Sequence, residues 1–267
     1  MFERIGFIGT GNMGTAVAKA VAASLRGSEL YFSNRTPEKA ERLAHEVSGI
    51  ATSNESIART CSLIVLGVKP QMMEQVLSGI SYVLRMRKDS FVLATMAAGL
   101  SCRDIRTMVS GEYPVIRFMP NTPCAIGAGV VQYCGVGVSK KELDEFAALL
   151  APAGLVDRVD EKLIDAASAI SGCGPAFAYL FMEALADGAV ACGLPRDKAM
   201  AYAAQMVAGS AKMVLESGTH PGALKDAVCS PGGTTIQGVR ALEERGFRSA
   251  AMNAVIAAYE KTVTLKK

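Results

Sequence analysis

Short apolar runs alternate with amphipathic segments through the first 160 residues. The runs are apolar at successive positions, which predicts strands covered on both faces. Between them, apolar residues recur every three or four positions, which predicts helices. The predicted strands are 4–8, 30–32, 63–67, 91–94 and 115–118, and the predicted helices are 12–25, 37–46, 72–80 and 102–109. This alternation indicates βαβ units and therefore a doubly wound parallel sheet of the α/β class.

The pattern changes after residue 160. From Leu163 onward, Ala, Met and Leu recur at helical spacing, with breaks at 193–195, 217–221 and 230–233. We therefore predict an α/β domain at 1–160 and an all-helical domain at 161–267. The most apolar stretch, 175–194, contains Glu183 and Asp187. Both charges would lie near the middle of a membrane span, where a charged side chain is costly. We therefore expect a buried helix rather than a membrane span.

Composition narrows the class of protein. Half of the 267 residues are apolar and a fifth are charged, as in ordinary globular domains. A net charge of +3 gives no reason to expect nucleic acid or a membrane as a partner. Seven cysteines without a C-x-x-C pair, and only two histidines, predict reduced thiols and no metal site. Glu3 and Arg4 interrupt the start before an apolar signal segment can form, so we expect a cytoplasmic protein.

The segment Gly9-Thr10-Gly11-Asn12-Met13-Gly14 matches G-x-G-x-x-G between a predicted strand and a predicted helix. In that context Gly9 makes the turn, Gly11 lets a pyrophosphate approach, and Gly14 lets helix and strand pack closely. The amides at the helix start favour phosphate. The alternative is a glycine-rich turn that binds nothing.

The end of the second predicted strand indicates which dinucleotide binds. Chains that bind NAD usually carry an acid there for the ribose 2′-hydroxyl, whereas this strand ends Ser33-Asn34-Arg35-Thr36. Arg35 can pair with a 2′-phosphate and its neighbours can donate hydrogen bonds, which favours NADP(H) over NAD(H). Arg35 as a plain surface charge is the alternative. Lys69, after the predicted strand 63–67, could face the ribose or pyrophosphate, or be an ordinary surface lysine.

Three later segments stand out: 117–123, 171–175 and 230–236. The last combines glycines and hydroxyl residues just ahead of a helical pattern, and such a loop could hold a small carboxylate. An N-capped turn between helices is the alternative.

With these motifs in order across nearly the whole chain, the sequence resembles the pyrroline-5-carboxylate reductase family. The resemblance includes Val68-Lys69-Pro70-Gln71, Met119 to Pro123, Ser171 to Pro175, Leu224-Lys225-Asp226 and Ser230 to Ile236. It implies a Rossmann-like domain with a helical dimerisation domain, and reduction of Δ1-pyrroline-5-carboxylate to L-proline by NADPH or NADH. It also implies an intertwined homodimer, which could assemble further into a pentamer of dimers.

The resemblance assigns roles to individual residues. It implies that the substrate carboxylate lies against Ser230, Gly232, Gly233 and Thr234, and that the catalytic Thr235 hydroxyl reaches the ring nitrogen. Cys173 stands where serine is commoner, which leaves a hydroxyl contact there unsupported. The expected cofactor-binding residues are Gly9, Gly11, Asn12, Met13, Gly14, Ser33, Asn34, Arg35, Asn54, Val68, Lys69, Pro70, Ala97 and Ala98.

The chemistry agrees with this residue set. A cyclic imine can arrive already protonated, so a histidine-poor chain can reduce it by orientation and electrostatics. Ketone reduction would need a general acid. β-Hydroxyacid dehydrogenases, which begin similarly, use a lysine on the helix after a glycine-rich turn, and no lysine occurs here between Gly174 and Lys198. A reductase of another cyclic imine and an NADP-binding redox sensor remain open alternatives.

Overall fold

A computed structural model describes residues 2–25 and 29–265 of the chain. Its strands are β1 (Arg4–Ile8), β2 (Glu29–Ser33), β3 (Ile50–Ala51), β4 (Leu63–Leu66), β5 (Val92–Thr95), β6 (Val115–Met119), β7 (Gly129–Val136) and β8 (Gly154–Arg158). Its helices are α1 (Asn12–Ser24), α2 (Pro37–Val47), α3 (Asn54–Thr60), α4 (Pro70–Met86), α5 (Cys102–Val109), α6 (Lys140–Leu150), α7 (Glu161–Ser171), α8 (Gly174–Ala191), α9 (Arg196–Ser217), α10 (Pro221–Ala227), α11 (Thr234–Glu244) and α12 (Phe247–Thr264).

The strands form one sheet in the order β3-β2-β1-β4-β5-β6-β7-β8. Strand order reverses between β1 and β4, as in the dinucleotide-binding sheets whose ligands lie at that reversal. Phe7 and Ile8 are neighbours in β1 but lie in different apolar clusters, one on each face of the sheet. Helices therefore cover both faces, as the continuous apolar runs predict.

The predominantly parallel sheet confirms the predicted fold class, and one pair of neighbouring strands departs from it. β7 runs antiparallel to β6, while the other neighbouring strands are parallel. Parallel neighbours need a crossover of a dozen or more residues. Residues 120–128 hold only the 3-10 turn Thr122–Ile126 and a left-handed Gly127 with φ 73°, so the chain reverses. Strands β3, β7 and β8 were not predicted. Strands β3 and β8 are short or polar, and in β7 the polar Gln132 interrupts a short apolar run that Gly129 and Gly135 flank.

A buried ion pair fixes α7 to the sheet. Arg117 on β6 and Asp165 on α7 are hydrogen-bonded, with side chains only 1% and 7% exposed. Ile164 also lies in the apolar cluster of that face. Losing either charge would leave the other buried, so the pair constrains where α7 sits.

The chain divides into two compact units. One holds the residues up to Cys173 and those from Ala258 onward, and the other is Gly174–Ala257. The first unit thus includes α7, and the division lies later than the predicted boundary at 160 and 161. Within the described residues no strand follows Arg158, so the second unit is all-helical as predicted.

The helix α8 is not buried in a single copy of the chain, which corrects that prediction. Ala186 is its one buried residue, and Tyr179 and Leu180 remain 59% and 67% exposed. The helical stretch Glu161–Ala191 is apolar and long enough to cross a membrane by length and composition alone, a test that core helices of soluble proteins also pass. Burial of this apolar helix therefore requires a surface outside the single chain.

Candidate functional site

The turn from β1 to α1 is built from close backbone contacts. Gly9 has φ 101°, and its amide donates to the Ser33 carbonyl at 2.8 Å. A Cβ on Gly14 or on Gly67 would lie 2.5 Å from the Gly9 carbonyl oxygen. Each of these glycines is therefore required where three segments meet: the turn, α1 and the residue after β4.

Gly11 differs from these glycines because a Cβ there would meet no atom within 4 Å. Gly11 is the N-cap of the 13-residue helix α1, and no side chain caps that helix. The free amides and the positive end of the helix dipole therefore face open space, an arrangement that attracts a phosphate. The neighbouring Thr10 Oγ1 is buried, and within the described part of the chain it has no hydrogen-bond partner.

The end of β2 forms a second wall beside this turn. Asn34 accepts a hydrogen bond from the Thr10 amide at 3.1 Å and donates to the Thr36 carbonyl at 3.1 Å, which fixes the two loops together. Arg35 is exposed next to it. Ser33 occupies the last position of β2, where NAD-binding chains usually carry an acid.

A cavity of about 1120 Å³ joins these parts. Eight of the fourteen predicted cofactor residues line it: Gly9, Gly11, Ser33, Asn34, Arg35, Asn54, Val68 and Lys69. Six do not: Asn12, Met13, Gly14, Pro70, Ala97 and Ala98. Gly14 is packed against backbone, and Ala97 is a buried residue after β5 whose amide donates to Thr95 Oγ1 at 3.3 Å.

Sequence reasoning missed Lys39, which also lines the cavity from the first turn of α2. The helix start was predicted from Thr36 and Pro37, and helical spacing from there could have indicated that Lys39 returns to the same side. Among the described residues that line this cavity, Lys39 joins Arg35 and Lys69 as a third cation, against the acids Glu41 and Glu55. The open Cβ position at Gly11 and this cationic wall fit a dinucleotide that carries an additional phosphate.

The predicted substrate loop is a type II turn in the second unit. The Gly233 amide donates to the Ser230 carbonyl at 3.0 Å, Pro231 takes the second position, and Gly232 takes the third with φ 68°. The turn leads directly into α11, with Gly233 as N-cap and no side-chain cap. The segment is thus an N-capped turn between α10 and α11, with a glycine rather than a hydroxyl residue at the cap.

The five predicted substrate residues thus lie together at one helix start. Thr234 and Thr235 are exposed on the first turn of α11, and a Cβ on Gly232 would meet nothing within 4 Å. Uncapped amides, adjacent hydroxyls and open space can together receive a small anion such as a carboxylate.

Two of the other motif segments meet inside the first unit. The Asn121 side chain donates to the Ser171 carbonyl at 2.9 Å and accepts from the Val130 amide at 2.9 Å. The Ser171 hydroxyl donates to Gln132 at 3.0 Å. Asn121 is buried, as is the adjacent Cys124 thiol, whose pKa burial raises. Both segments therefore serve to hold the end of α7 against β6 and β7.

Two family models match the chain. Residues 161–265 match "Pyrroline-5-carboxylate reductase dimerisation", and residues 4–98 match "NADP oxidoreductase coenzyme F420-dependent". The first is a family of self-association domains, which accounts for the exposed apolar side chains of α8. Self-association is therefore a property of this helical part of the chain.

Relatives and solved structures match the whole chain. The chain is 41% identical to pyrroline-5-carboxylate reductase of Pisum sativum, over 97% of this chain and 94% of the relative. It is 40% identical to the Escherichia coli enzyme, over 100% of both chains. The crystal structure of Plasmodium falciparum pyrroline carboxylate reductase with NADP bound has a TM-score of 0.89, with 34% identity and 100% coverage of both chains.

More distant structures share only the fold. Prephenate dehydrogenase from A. aeolicus, at 13% identity and a TM-score of 0.54, is one of these. The named reductases share about 40% of their residues with this chain over nearly the full length of both chains, about three times the identity of the dehydrogenase. This chain belongs to the pyrroline-5-carboxylate reductase family.

Proposed function

We propose that the chain reduces Δ1-pyrroline-5-carboxylate to L-proline, the last step of proline biosynthesis, with NADPH as hydride donor. The observation that carries the proposal is the uncapped start of α11, where a small carboxylate fits, in a chain that also has a cationic dinucleotide cavity. Full-length identity to named pyrroline-5-carboxylate reductases supports it. NADH is the alternative donor.

The cofactor would be held by the first unit. The α1 amides beyond Gly11 would bind the pyrophosphate, while Ser33, Asn34 and Arg35 would bind the 2′-phosphate. Asn54, Val68 and Lys69 line the remaining wall of the cavity, and we propose that they contact the cofactor too. Asn12, Met13, Gly14, Pro70, Ala97 and Ala98 complete the proposed set. NADPH supplies the hydride when bound.

The substrate would be oriented by the second unit. Its carboxylate would lie against the turn that contains Gly232 and Gly233, and it would accept hydrogen bonds from the uncapped amides at the start of α11 and from the hydroxyls of Ser230 and Thr234. The Thr235 hydroxyl would hydrogen-bond the ring nitrogen and fix the C=N face that receives the hydride. The hydride goes to the imine carbon and the nitrogen keeps the proton that a protonated imine brings, so no strong protein acid is required.

We also propose an oligomeric state and a cellular location for the enzyme. The helical unit would form an intertwined homodimer, with a pentamer of such dimers as the larger assembly and no nucleic acid or membrane as partner. The exposed Tyr179 and Leu180 support an extensive interface between copies. We propose a cytoplasmic location, which the seven free cysteines of the chain support.

The test is NADPH oxidation, followed by absorbance, with Δ1-pyrroline-5-carboxylate and with a semialdehyde or β-keto acid as parallel substrates. We expect rapid oxidation with the imine alone, and L-proline as the product by chromatography. Oxidation with the carbonyl acid alone would overturn the proposal, and so would nucleotide binding without turnover. Thr235→Ser, which keeps the hydroxyl, should retain much of the activity that Thr235→Ala loses.

A further inference from the structure

Three metal-ligating side chains from distant parts of the sequence meet in the first unit. They are Cys102, the first residue of α5, Cys134 on β7, and Glu161, the first residue of α7. One ligand atom from each lies within 4.8 Å of the other two. Cys102 and Cys134 are buried, and Glu161 is half-buried. We infer that these residues form a site for a thiophilic divalent cation, with Zn²⁺ as the ion that they fit best.

The spacing suits a metal ion. Three atoms that are mutually within 4.8 Å have a common point no more than about 2.8 Å from each, the radius of the circle around an equilateral triangle of that side. Zinc bonds are about 2.3 Å to sulfur and about 2.0–2.2 Å to carboxylate oxygen. If the two sulfurs and the carboxylate oxygen each moved roughly half an ångström toward that common point, they would reach zinc bonding distance. Water would take the fourth coordination position.

The carboxylate is already oriented for this role. Glu161 accepts a hydrogen bond from the Cys102 amide at 2.7 Å through Oε1. A ligand whose position is fixed by such a bond loses little freedom when a metal binds. The Cys102 thiol is itself directed toward the sheet, since its sulfur lies 3.7 Å from the Val115 carbonyl oxygen.

The charge balance also favours a divalent cation. Arg117 lies opposite Cys134 in the antiparallel register, and Asp165 neutralises its charge. Glu161 alone therefore gives the cluster a charge of −1 while both thiols are protonated. Binding Zn²⁺ with release of both thiol protons leaves the same charge of −1, so metal binding buries no additional net charge. Soft thiolate ligands select zinc over magnesium or calcium.

The experiment uses the reduced full-length protein, stripped with a chelator and titrated with Zn²⁺ against a chromophoric competitor. We expect one tight equivalent per chain, and we expect Co²⁺ in the same site to give thiolate charge-transfer absorption. Cys134→Ser and Glu161→Gln should each weaken binding by at least about tenfold. Glu161→Gln keeps an acceptor for the Cys102 amide, so it remains informative if Cys134→Ser does not fold.

Two control variants remove other thiols. Cys61→Ser removes a buried thiol outside the cluster, and Cys192→Ser removes an exposed thiol. Both variants should still bind one equivalent of Zn²⁺ per chain. The inference is overturned if the reduced protein binds no tight equivalent, or if Cys134→Ser and Glu161→Gln bind as the wild type does. A disulfide between Cys102 and Cys134 in protein purified without reductant, found by mass spectrometry together with no metal uptake after reduction, would also overturn it.

Discussion

The substitution Gly11→Ala separates nucleotide binding from folding. A Cβ at Gly11 meets no atom within 4 Å, and φ −71° with ψ −175° suits any residue. Alanine reduces unfolded-chain entropy, a gain of about 0.4–1 kcal/mol. Alanine is also a poorer N-cap than glycine, which costs a similar amount. The two effects oppose each other, so the free energy of unfolding should stay within about 1 kcal/mol of the wild type.

The same methyl group occupies the space through which a pyrophosphate would approach the α1 amides. Losing one hydrogen bond to a charged group costs about 1.5–3 kcal/mol. That loss corresponds to a rise of roughly ten- to 150-fold in the Kd for NADPH. Fluorescence titration with NADPH measures the binding, and thermal unfolding without nucleotide measures the stability.

Gly14→Ala is the matched control for Gly11→Ala. Its Cβ would lie 2.5 Å from the Gly9 carbonyl oxygen, which is backbone and cannot turn aside. Overpacking of this kind costs about 1–3 kcal/mol of stability. Wild-type NADPH affinity in folded Gly11→Ala protein would refute the place given to the pyrophosphate, and equal destabilisation by the two substitutions would refute the packing argument.

Four further predictions concern other parts of the chain. Thr235→Ala should lower turnover far more than NADPH affinity, and an equal loss in steady-state kinetics and binding would contradict its role. Arg35→Ala should raise the KM for NADPH at least about tenfold and leave that for NADH nearly unchanged. Asn121→Ala leaves two backbone groups unpaired, so urea unfolding should show a loss of about 2–4 kcal/mol. The hydrogen bond from Arg87 lowers the pKa of Asp89, so the stability difference between wild type and Asp89→Asn should be present at neutral pH and vanish as the pH falls below the usual aspartate range near 4.

The sequence predicted most of the sheet because its central strands are buried on both faces. Five apolar runs became β1, β2, β4, β5 and β6 within one or two residues at each end. The antiparallel direction of β7 could not be predicted, because direction depends on the short connection after Met119 and apolar periodicity carries no information on it. The exposure of α8 could not be predicted either, since apolar periodicity does not distinguish burial within one chain from burial against a second copy.

The cofactor cavity was more predictable than the cluster around Cys102. Gly9, Gly11 and Arg35 follow successive strand ends, and strand ends meet at a known edge of a parallel sheet. Cys102, Cys134 and Glu161 lie on a helix start, a strand and a second helix start that are far apart in sequence, and Cys134 lies on a strand that was not predicted. Only the three-dimensional packing brings their ligand atoms together.

The three buried alanines of the second unit, Ala186, Ala199 and Ala203, have a consequence for how this protein tolerates mutation. So small a core makes the helical unit depend on its copy, and a symmetric pair contains every substitution twice. A change that weakens the interface by about 1 kcal/mol in each chain weakens the pair by about 2 kcal/mol, or roughly thirtyfold in its dissociation constant. Each chain's loss multiplies the dissociation constant by the same factor, so the pair's dissociation constant rises by the square of that factor. Substitutions at the interface between copies should therefore be tolerated less than equally disruptive substitutions on the helices that cover the sheet.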